Sequence, residues 1–219
     1  MPAERWVIPK ESRMANSQNM IAGVSAGGTS GAELLWLAPA GTDLTALRTA
    51  PFGDLATEFV SPGYCTQDGF SISQDLSKEE IYSYGVQTPT RVLKTQMKTT
   101  GSITLQETNS VSLAVYNGLP LTGEGALVVG QDGTVTVEVG KIRSQRYAAV
   151  IDARDGATRT RLIMPDVEIF PAGDLQLSMG AILERALEIT AYPDSNGVAI
   201  YESHTGLVVA GSTVPPATP

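Results

Sequence analysis

The sequence predicts a mainly β fold built on two unusually long strands, with one clear helix. Residues 91–107 alternate between apolar and polar side chains over a distance that few strands reach, and residues 64–76 repeat the pattern. From Leu93 to Gln106 such a strand spans roughly 43 Å at about 3.3 Å per residue, whereas typical strands span about 17–20 Å. This length, with one polar face, favours the wall of a wide barrel or tube over a small sandwich.

One face of both long strands is polar from end to end. In the second strand Leu93, Met97, Ile103 and Leu105 share one parity, so the other parity points to the opposite side of the sheet. We call that opposite side the wet face, and ten residues are assigned to it: Gln67, Ser71, Ser73, Asp75, Lys94, Gln96, Lys98, Thr100, Ser102 and Thr104. Acidic neighbours are expected to neutralise its two lysines.

Composition limits the classes of function. The 219 residues suffice for one folded domain with appended arms, and the net charge of −8 argues against wrapping nucleic acid, which requires clustered Lys and Arg. With one cysteine, Cys65, and one histidine, neither an intrachain disulfide nor a zinc site of the usual ligand sets is expected. We expect no metal and no cofactor. Residues 1–20 lack the apolar segment of a secretory signal, and no stretch reaches the roughly 20 apolar residues of a membrane span, so synthesis in the cytoplasm is expected.

The first half of the chain contains an arm, short elements and the two long strands. Residues 1–32 end in glycines and are predicted as an N-terminal arm, residues 33–193 as the folded domain and residues 194–219 as a C-terminal arm. The short elements are a strand at 33–38, a helical turn at 43–47 and a strand at 57–60. Residues 77–90 connect the long strands, and loops of that length are usually functional or disordered.

The second half contains the helix and further strands. Thr108 or Asn109 can cap a helix that runs through Val115, and Gly118 supplies the left-handed residue that ends it. Strands are predicted at 133–139, 147–153 and 158–164, with a turn at 155–156 joining the last two. Residues 175–192 also fit a helical face, but Gly180 and the alternation that follows it favour two strands.

Two arrangements resemble catalytic sites, and their context argues against both. Ser25 lies in a G-x-S-x-G segment with His204 downstream, as in α/β hydrolases. That nucleophile elbow requires a buried strand before it and a helix after it, yet here polar residues precede the serine and glycines follow it. A hydrolase using Ser25 and His204 is therefore a remote alternative. Glu184 and Glu188 can be pictured as a general acid and base, but charged residues on a sheet surface are more often solvated.

One stretch of the chain is locally basic. Its residues are Lys141, Arg143, Arg146, Arg154, Arg159 and Arg161. The favoured interpretation is a hairpin surface balanced by Asp152 and Asp155, and salt bridges to an identical subunit are the alternative.

Several segments, taken in order, resemble the major tail proteins of long-tailed, non-contractile phages, especially those that infect actinobacteria. They are Gly63 to Ser73, Arg91, Thr99 and Thr100 leading into Ile103 to Glu107, the helix from Val111 to Ala114, and Leu187 to Pro193. No single motif among them is decisive, but the ordered set extends over residues 33–193.

The resemblance implies a β-sandwich with one flanking helix, assembled as hexameric rings that stack into a tail tube. In this family long strands from each subunit join in an inner β-barrel around the channel through which DNA is ejected. The wet face would then line the channel, and residues 77–90 would contact the adjacent ring. The candidates for that contact are Lys78, Glu79, Glu80, Ile81, Tyr82 and Tyr84.

The resemblance also implies partners and a location. Identical subunits, a tape measure protein and tail-end proteins are the implied partners, and double-stranded DNA passes without specific binding or any membrane contact. The protein would be made in the host bacterial cytoplasm and would end in the virion tail. A tube protein of a contractile tail or a secretion system is the closest alternative.

Overall fold

The computed structural model describes residues 25–26, 33–141 and 143–207, and it confirms a mainly β protein. Eight strands and two short helices are present in these residues. The strands are β1 Ser25–Ala26, β2 Leu35–Pro39, β3 Cys65–Ile81, β4 Arg91–Leu105, β5 Arg146–Asp155, β6 Thr158–Pro171, β7 Arg185–Tyr192 and β8 Tyr201–His204. The helices are α1 Thr45–Thr49 and α2 Ser110–Tyr116.

All strands join one antiparallel sheet in the order β1-β5-β6-β7-β4-β3. Strand β2 lies beside β1 along the same edge of β5, and β8 lies beside β7 along β6. Strand β6 is thus long enough to pair first with β8 and then with β7. No helix in the described residues is long and apolar enough to cross a membrane.

Two hydrophobic cores lie on opposite faces of this sheet. The larger core includes Leu35, Ile103, Tyr147 and Ile189, and α2 contributes Val115 to it. The smaller core lies on the other face of β2, β5 and β6, where α1 and residues 44–59 cover it. Strand β5 is therefore buried on both sides and reads as a continuous apolar run. Strands β4 and β7 pack on one core only, so they alternate.

Helix α2 begins and ends as the sequence predicts. The Asn109 side chain accepts a hydrogen bond from the Ser112 amide at 2.8 Å, and the Ser112 hydroxyl accepts one from the Asn109 amide at 2.9 Å. This reciprocal capping box satisfies two amide groups that a helix start leaves unpaired. Gly118, with a φ of 63°, takes the left-handed conformation that stops the helix.

Several predicted elements differ from the structure. Residues 57–60 form no strand but only an isolated bridge from Val60 to Leu37, and β6 continues past the predicted end at residue 164 to Pro171. Residues 133–139 form no strand, and of the two strands expected within 175–192 only β7 is present. Strand β3 runs on to Ile81, which shortens the connection between the long strands to residues 82–90. Strand β8 was not predicted. A strand exists only where a neighbour accepts its backbone hydrogen bonds, and alternation alone does not reveal that neighbour.

The predicted N-terminal arm lies largely outside the described residues, whereas the predicted C-terminal arm is described as far as residue 207. Within 1–32 the short strand β1 pairs with β5, while residues 1–24 and 27–32 are not described. Within 194–219 strand β8 pairs with β6.

Candidate assembly surface

The long strands β3 and β4 form one antiparallel hairpin that gathers most of the wet face. Residues directly opposite each other in such a pair point to the same side. The register pairs Ser71 with Ser102, Ser73 with Thr100, Asp75 with Lys98 and Ser77 with Gln96. The Oγ atoms of Ser71 and Ser102 are 2.7 Å apart. Thr104, two residues beyond Ser102 on β4, shares their parity.

The wet face continues across two more strands that the sequence prediction did not include. Glu188 of β7 lies opposite Ser102, and Thr190 lies opposite Thr100. Glu168 of β6 in turn lies opposite Thr190. The other side of these strands carries Ile103 and Ile189 in the larger core. This surface therefore spans four strands, and the core behind it fixes which way it faces. It is polar on β3, β4 and β7, whereas β6 adds a buried Glu168 and a 40% exposed Phe170, which lies opposite Glu188.

Charges of both signs lie on this surface. Lys98 lies opposite Asp75, and its Nζ is 3.9 Å from Glu188 Oε1, so this lysine has the predicted acidic neighbours. Glu168 accepts hydrogen bonds from the Ser144 and Tyr192 hydroxyls. The Ser144 hydroxyl holds the pKa of Glu168 below its usual value, although burial opposes this effect. No basic stripe forms along these strands in the described chain.

Irregular pairing moves one residue that was predicted for the wet face, Lys94, to the other side of the hairpin. Lys94 lies opposite Lys78, because one extra residue, Thr95, interrupts the ladder between Ser77 and Lys78. The Thr95 hydroxyl donates to the Ser77 carbonyl at 3.3 Å. Lys94 therefore points to the side opposite Gln96.

Gln67 lies in a second interruption, where pairing jumps from Cys65 to Phe70 on β3. No paired neighbour fixes the side to which Gln67 points, so its assignment to the wet face stays a prediction. Gly69, with a φ of 66°, lies in the same segment and marks the bend. Cys65 itself packs partly on the larger core, and burial raises the pKa of its thiol.

Beyond the sheet the β3–β4 hairpin projects alone, and we call residues 74–98 the arm. Strand β4 pairs with β7 only from Thr99 to Leu105, so the arm pairs only with itself. From Thr99 to Arg91 it extends roughly 26 Å at about 3.3 Å per residue. An isolated two-stranded ribbon is marginally stable in water. Within the described subunit the arm therefore has few neighbours to stabilise it.

The residues predicted for ring contact lie in the outer part of the arm. Lys78, Glu79, Glu80 and Ile81 belong to β3, and the connecting loop carries Tyr82 and Tyr84. The Tyr82 hydroxyl donates to Glu80 Oε2 at 2.6 Å, while the Tyr84 side chain is fully exposed.

Strand β3 also ends the sheet with an open edge. It pairs with β4 on one side and with no other strand of the described chain. A long unpaired edge presents backbone donors and acceptors that a second chain can use.

The two catalytic alternatives find no support in the geometry. Two strands, β5 and β6, separate Ser25 on β1 from His204 on β8, which places their backbones roughly 14 Å apart at about 4.8 Å per strand. His204 instead contacts Thr160 and Glu202. Glu184 accepts a hydrogen bond from Gln106. Among the described residues no cluster of His, Cys, Asp and Glu could hold a metal ion.

The structure confirms Asp152 as a counter-ion of the basic stretch, but it buries part of this stretch, which corrects its interpretation as a hairpin surface. Arg161 and Asp152 are 3% and 2% exposed. Asp152 Oδ2 accepts from Arg161 and, at 2.7 Å, from Arg159 Nη2. Arg161 also donates to the carbonyls of Pro51 and Gly53 at 2.8 and 2.7 Å. This cluster fastens residues 51–53 to the sheet beside a cleft of about 550 Å³.

Comparison with known proteins adds one match. The model of a family described as phage tail tube protein matches residues 16–202 of the chain. This span includes all eight strands except the end of β8. No curated protein matches the sequence.

Proposed function

The chain belongs to the phage tail tube protein family, whose members are structural proteins of the virion tail, and we propose that six copies form rings that stack into the tube. The four-stranded wet face would line the channel. The proposal includes long-tailed, non-contractile phages of actinobacteria as the source, from the ordered segments at 63–73 and 187–193. A tape measure protein and tail-end proteins are the proposed assembly partners.

The observation that carries this proposal is a polar surface that is continuous with an open strand edge. Strands β6, β7, β4 and β3 share the wet face, and β3 ends the sheet without a partner in the described chain. Six such segments would make a barrel of about 24 strands, and barrels of about 16–18 strands already enclose an aqueous channel. Closure would also remove the edge that makes a long strand prone to aggregation.

The charges of the wet face suit passage of DNA without capture. Strong binding to DNA comes from the release of counterions when Lys and Arg neutralise phosphates. Here Lys98 faces Asp75 and Glu188, and the whole chain carries a net charge of −8. The hydroxyls of Ser71, Ser73 and Ser102 would hydrate the passing duplex. DNA would therefore slide through the tube during ejection.

The arm supports a role in stacking. Barrel strands tilt by about 35–45° from the barrel axis. A hairpin that is longer than the strands beside it therefore projects beyond the rim of the ring. Strand β4 extends beyond the end of its pairing with β7 by eight residues, from Arg91 to Lys98. Its loop, residues 82–90, would contact the next ring.

Electron microscopy of the purified protein tests this function. Rings or tubes of constant width are expected. Because Ile81 lies opposite Arg91, residues 82–90 can be replaced by the two-residue turn Asn-Gly without disturbing the ladder. This variant should fold, as circular dichroism would verify, yet fail to stack.

A matched variant replaces the same nine residues by a Gly/Ser segment of equal length. It keeps the reach of the loop but removes Tyr82 and Tyr84, and it should also stack poorly if these side chains make the contact. Normal tubes from the Asn-Gly variant would refute the stacking role of the loop. A wild-type protein that remains monomeric at all concentrations would refute assembly itself.

A further inference from the structure

The arm carries an apolar surface of its own. On the side opposite the wet face it exposes Ile72 at its base, then Leu76, Met97 and Val92, which we call the apolar stripe. Met97 is 63% exposed and Val92 50%. Leu76 and Met97 lie opposite each other, and the pair of Lys78 and Lys94 separates them from Val92. Exposed apolar side chains grouped in this way mark interaction sites in soluble proteins.

A second exposed apolar segment lies at the other end of the same sheet. Residues 174–184, which we call the lip, connect β6 to β7 and expose Leu175, Leu177, Met179 and Ile182. Leu177 is 83% exposed and Met179 fully exposed. The lip alternates apolar and polar residues as a strand does, yet it forms no strand in the subunit. Its sequence is suited to a partner that the subunit lacks.

The register fixes the positions of these two surfaces. Leu105, the last residue of β4, lies opposite Arg185, where β7 begins and the lip ends. Arg91, the first residue of β4, lies at the tip of the arm. The lip and the arm tip are therefore at opposite ends of the hairpin, separated by roughly 46 Å at about 3.3 Å per residue.

The apolar stripe and the lip also carry charges of opposite sign. Lys78 and Lys94 lie directly opposite each other on the side of the stripe, and neither forms an ion pair within the described chain. Like charges opposed across a strand pair are unfavourable unless a counter-charge is near. The lip carries Asp174 and Glu184 and no basic residue. Glu80, also on this side, is engaged by the Tyr82 hydroxyl.

From these observations we infer that the apolar stripe of one subunit docks on the lip of a subunit in the next ring. The inference rests on the proposed function and specifies its axial contact. Two different patches at opposite ends of one molecule make a heterologous, head-to-tail contact, which does not close and therefore propagates along a filament. The lysine pair would meet the acidic residues of the lip as the apolar side chains pack.

Cross-linking tests the contact directly. In a Cys65→Ser background, Met97→Cys combined with Leu177→Cys is treated with a short bis-maleimide reagent after assembly. A ladder of covalent oligomers that continues past six subunits is expected, since the links run along the tube. Each single-cysteine variant serves as a control and should give no ladder. A ladder that stops at the ring number would overturn the axial contact in favour of a lateral one, and no ladder would overturn both.

Substitutions test the chemistry. Leu177→Asp should abolish tubes, whereas Val128→Asp, at a side chain equally exposed but outside both surfaces, should leave them intact. Lys94→Glu should also abolish tubes, and adding Asp174→Lys should restore them. Normal tubes from Leu177→Asp, or a double variant that stays unassembled, would refute this docking while leaving the tail tube function in place. Absence of rings and tubes from the wild type would instead refute the function.

Discussion

Removing the carboxyl group of Asp152 should destabilise the isolated subunit strongly. The Asp152 side chain is almost fully buried and receives hydrogen bonds from two guanidinium groups through its Oδ2 atom. In Asp152→Ala the charge of Arg161 stays buried without its counter-ion. Breaking a buried pair in this way costs about 3–5 kcal/mol of unfolding free energy.

The contacts that remain place the expected loss at the lower end of that range. Arg161 keeps the carbonyl oxygens of Pro51 and Gly53 as acceptors. The side chain of Arg159 is 22% exposed, so it can turn towards water. We therefore expect a loss of about 3 kcal/mol, which corresponds to a shift of about 1.5 M in the urea midpoint at a slope of about 2 kcal/mol/M.

Urea unfolding followed by circular dichroism measures this loss. It must be done on monomer verified by sedimentation, because assembly would add to the apparent stability. Asp166→Ala is the matched control, since Asp166 pairs with Arg146 at a half-exposed position and should lose only about 0–1 kcal/mol. Adding Arg161→Met to Asp152→Ala should recover much of the loss. A loss below about 1 kcal/mol for Asp152→Ala, or no recovery in the double variant, would refute the reasoning.

Two further predictions concern the sheet and the turn after β7. Gly101→Ala should cost about 1–3 kcal/mol, because its Cβ would overlap the Phe70 ring, and adding Phe70→Leu should recover part of the loss in the same urea assay. A hydrogen bond from the Tyr201 hydroxyl, above all, lowers the pKa of Asp194 to about 2 from 3.8. A carboxyl group whose pKa is lower in the folded protein than in the unfolded chain stabilises the fold when the pH is above its unfolded pKa. The contribution of Asp194 should therefore be present above about pH 4 and disappear as the pH falls towards 2. Asp194→Asn should remove that pH dependence in acid titrations, and Tyr201→Phe should raise the Asp194 pKa in NMR titrations; an unchanged value would contradict the assigned cause.

The orientation of the long strands could be predicted from the sequence because burial enforces it. Ile103 and Leu105 must enter the core, so Ser102 and Thr104 must leave it. The same logic was available for β7, where Glu188 and Thr190 alternate with buried Leu187 and Ile189. Their omission from the predicted wet face was therefore a missed signal.

The irregular parts of the β3–β4 ladder show where alternation along a strand stops predicting which side a residue faces. Lys94 changes sides because a single extra residue enters the ladder, and Thr95 carries no local signal for it. For Gln67 a signal exists, since an isolated glycine such as Gly69 inside a strand often marks a bulge. The burial of Arg161 was also beyond local prediction, because its carbonyl acceptors are 110 and 108 residues away in the chain.

Two of the segments that were predicted as strands form none, because they lack a neighbouring strand to pair with in the described subunit. Residues 133–139 and 175–179 alternate correctly, whereas Tyr201–His204 is short and weakly patterned yet forms β8. The difference is the presence of a neighbour: β6 offers β8 an open edge, and no edge in the described subunit receives the other two segments. Whether a segment forms a strand thus depends on an available neighbouring strand edge as much as on its own sequence.

The availability of neighbouring strands also explains why some parts of the subunit are more stable than others. Strands β2, β5 and β6 pack cores on both faces and contain the buried ion pair, so they hold the fold without help. The arm has neither face covered, and its loop is exposed throughout. Because a two-stranded ribbon gains little from its own pairing, we expect the arm to gain most of its stability from the subunit that is proposed to cover it. If the proposed tube forms, we therefore expect ordering of the arm to be coupled to assembly, and hydrogen exchange should be faster in the arm than in β5 and β6 of the monomer.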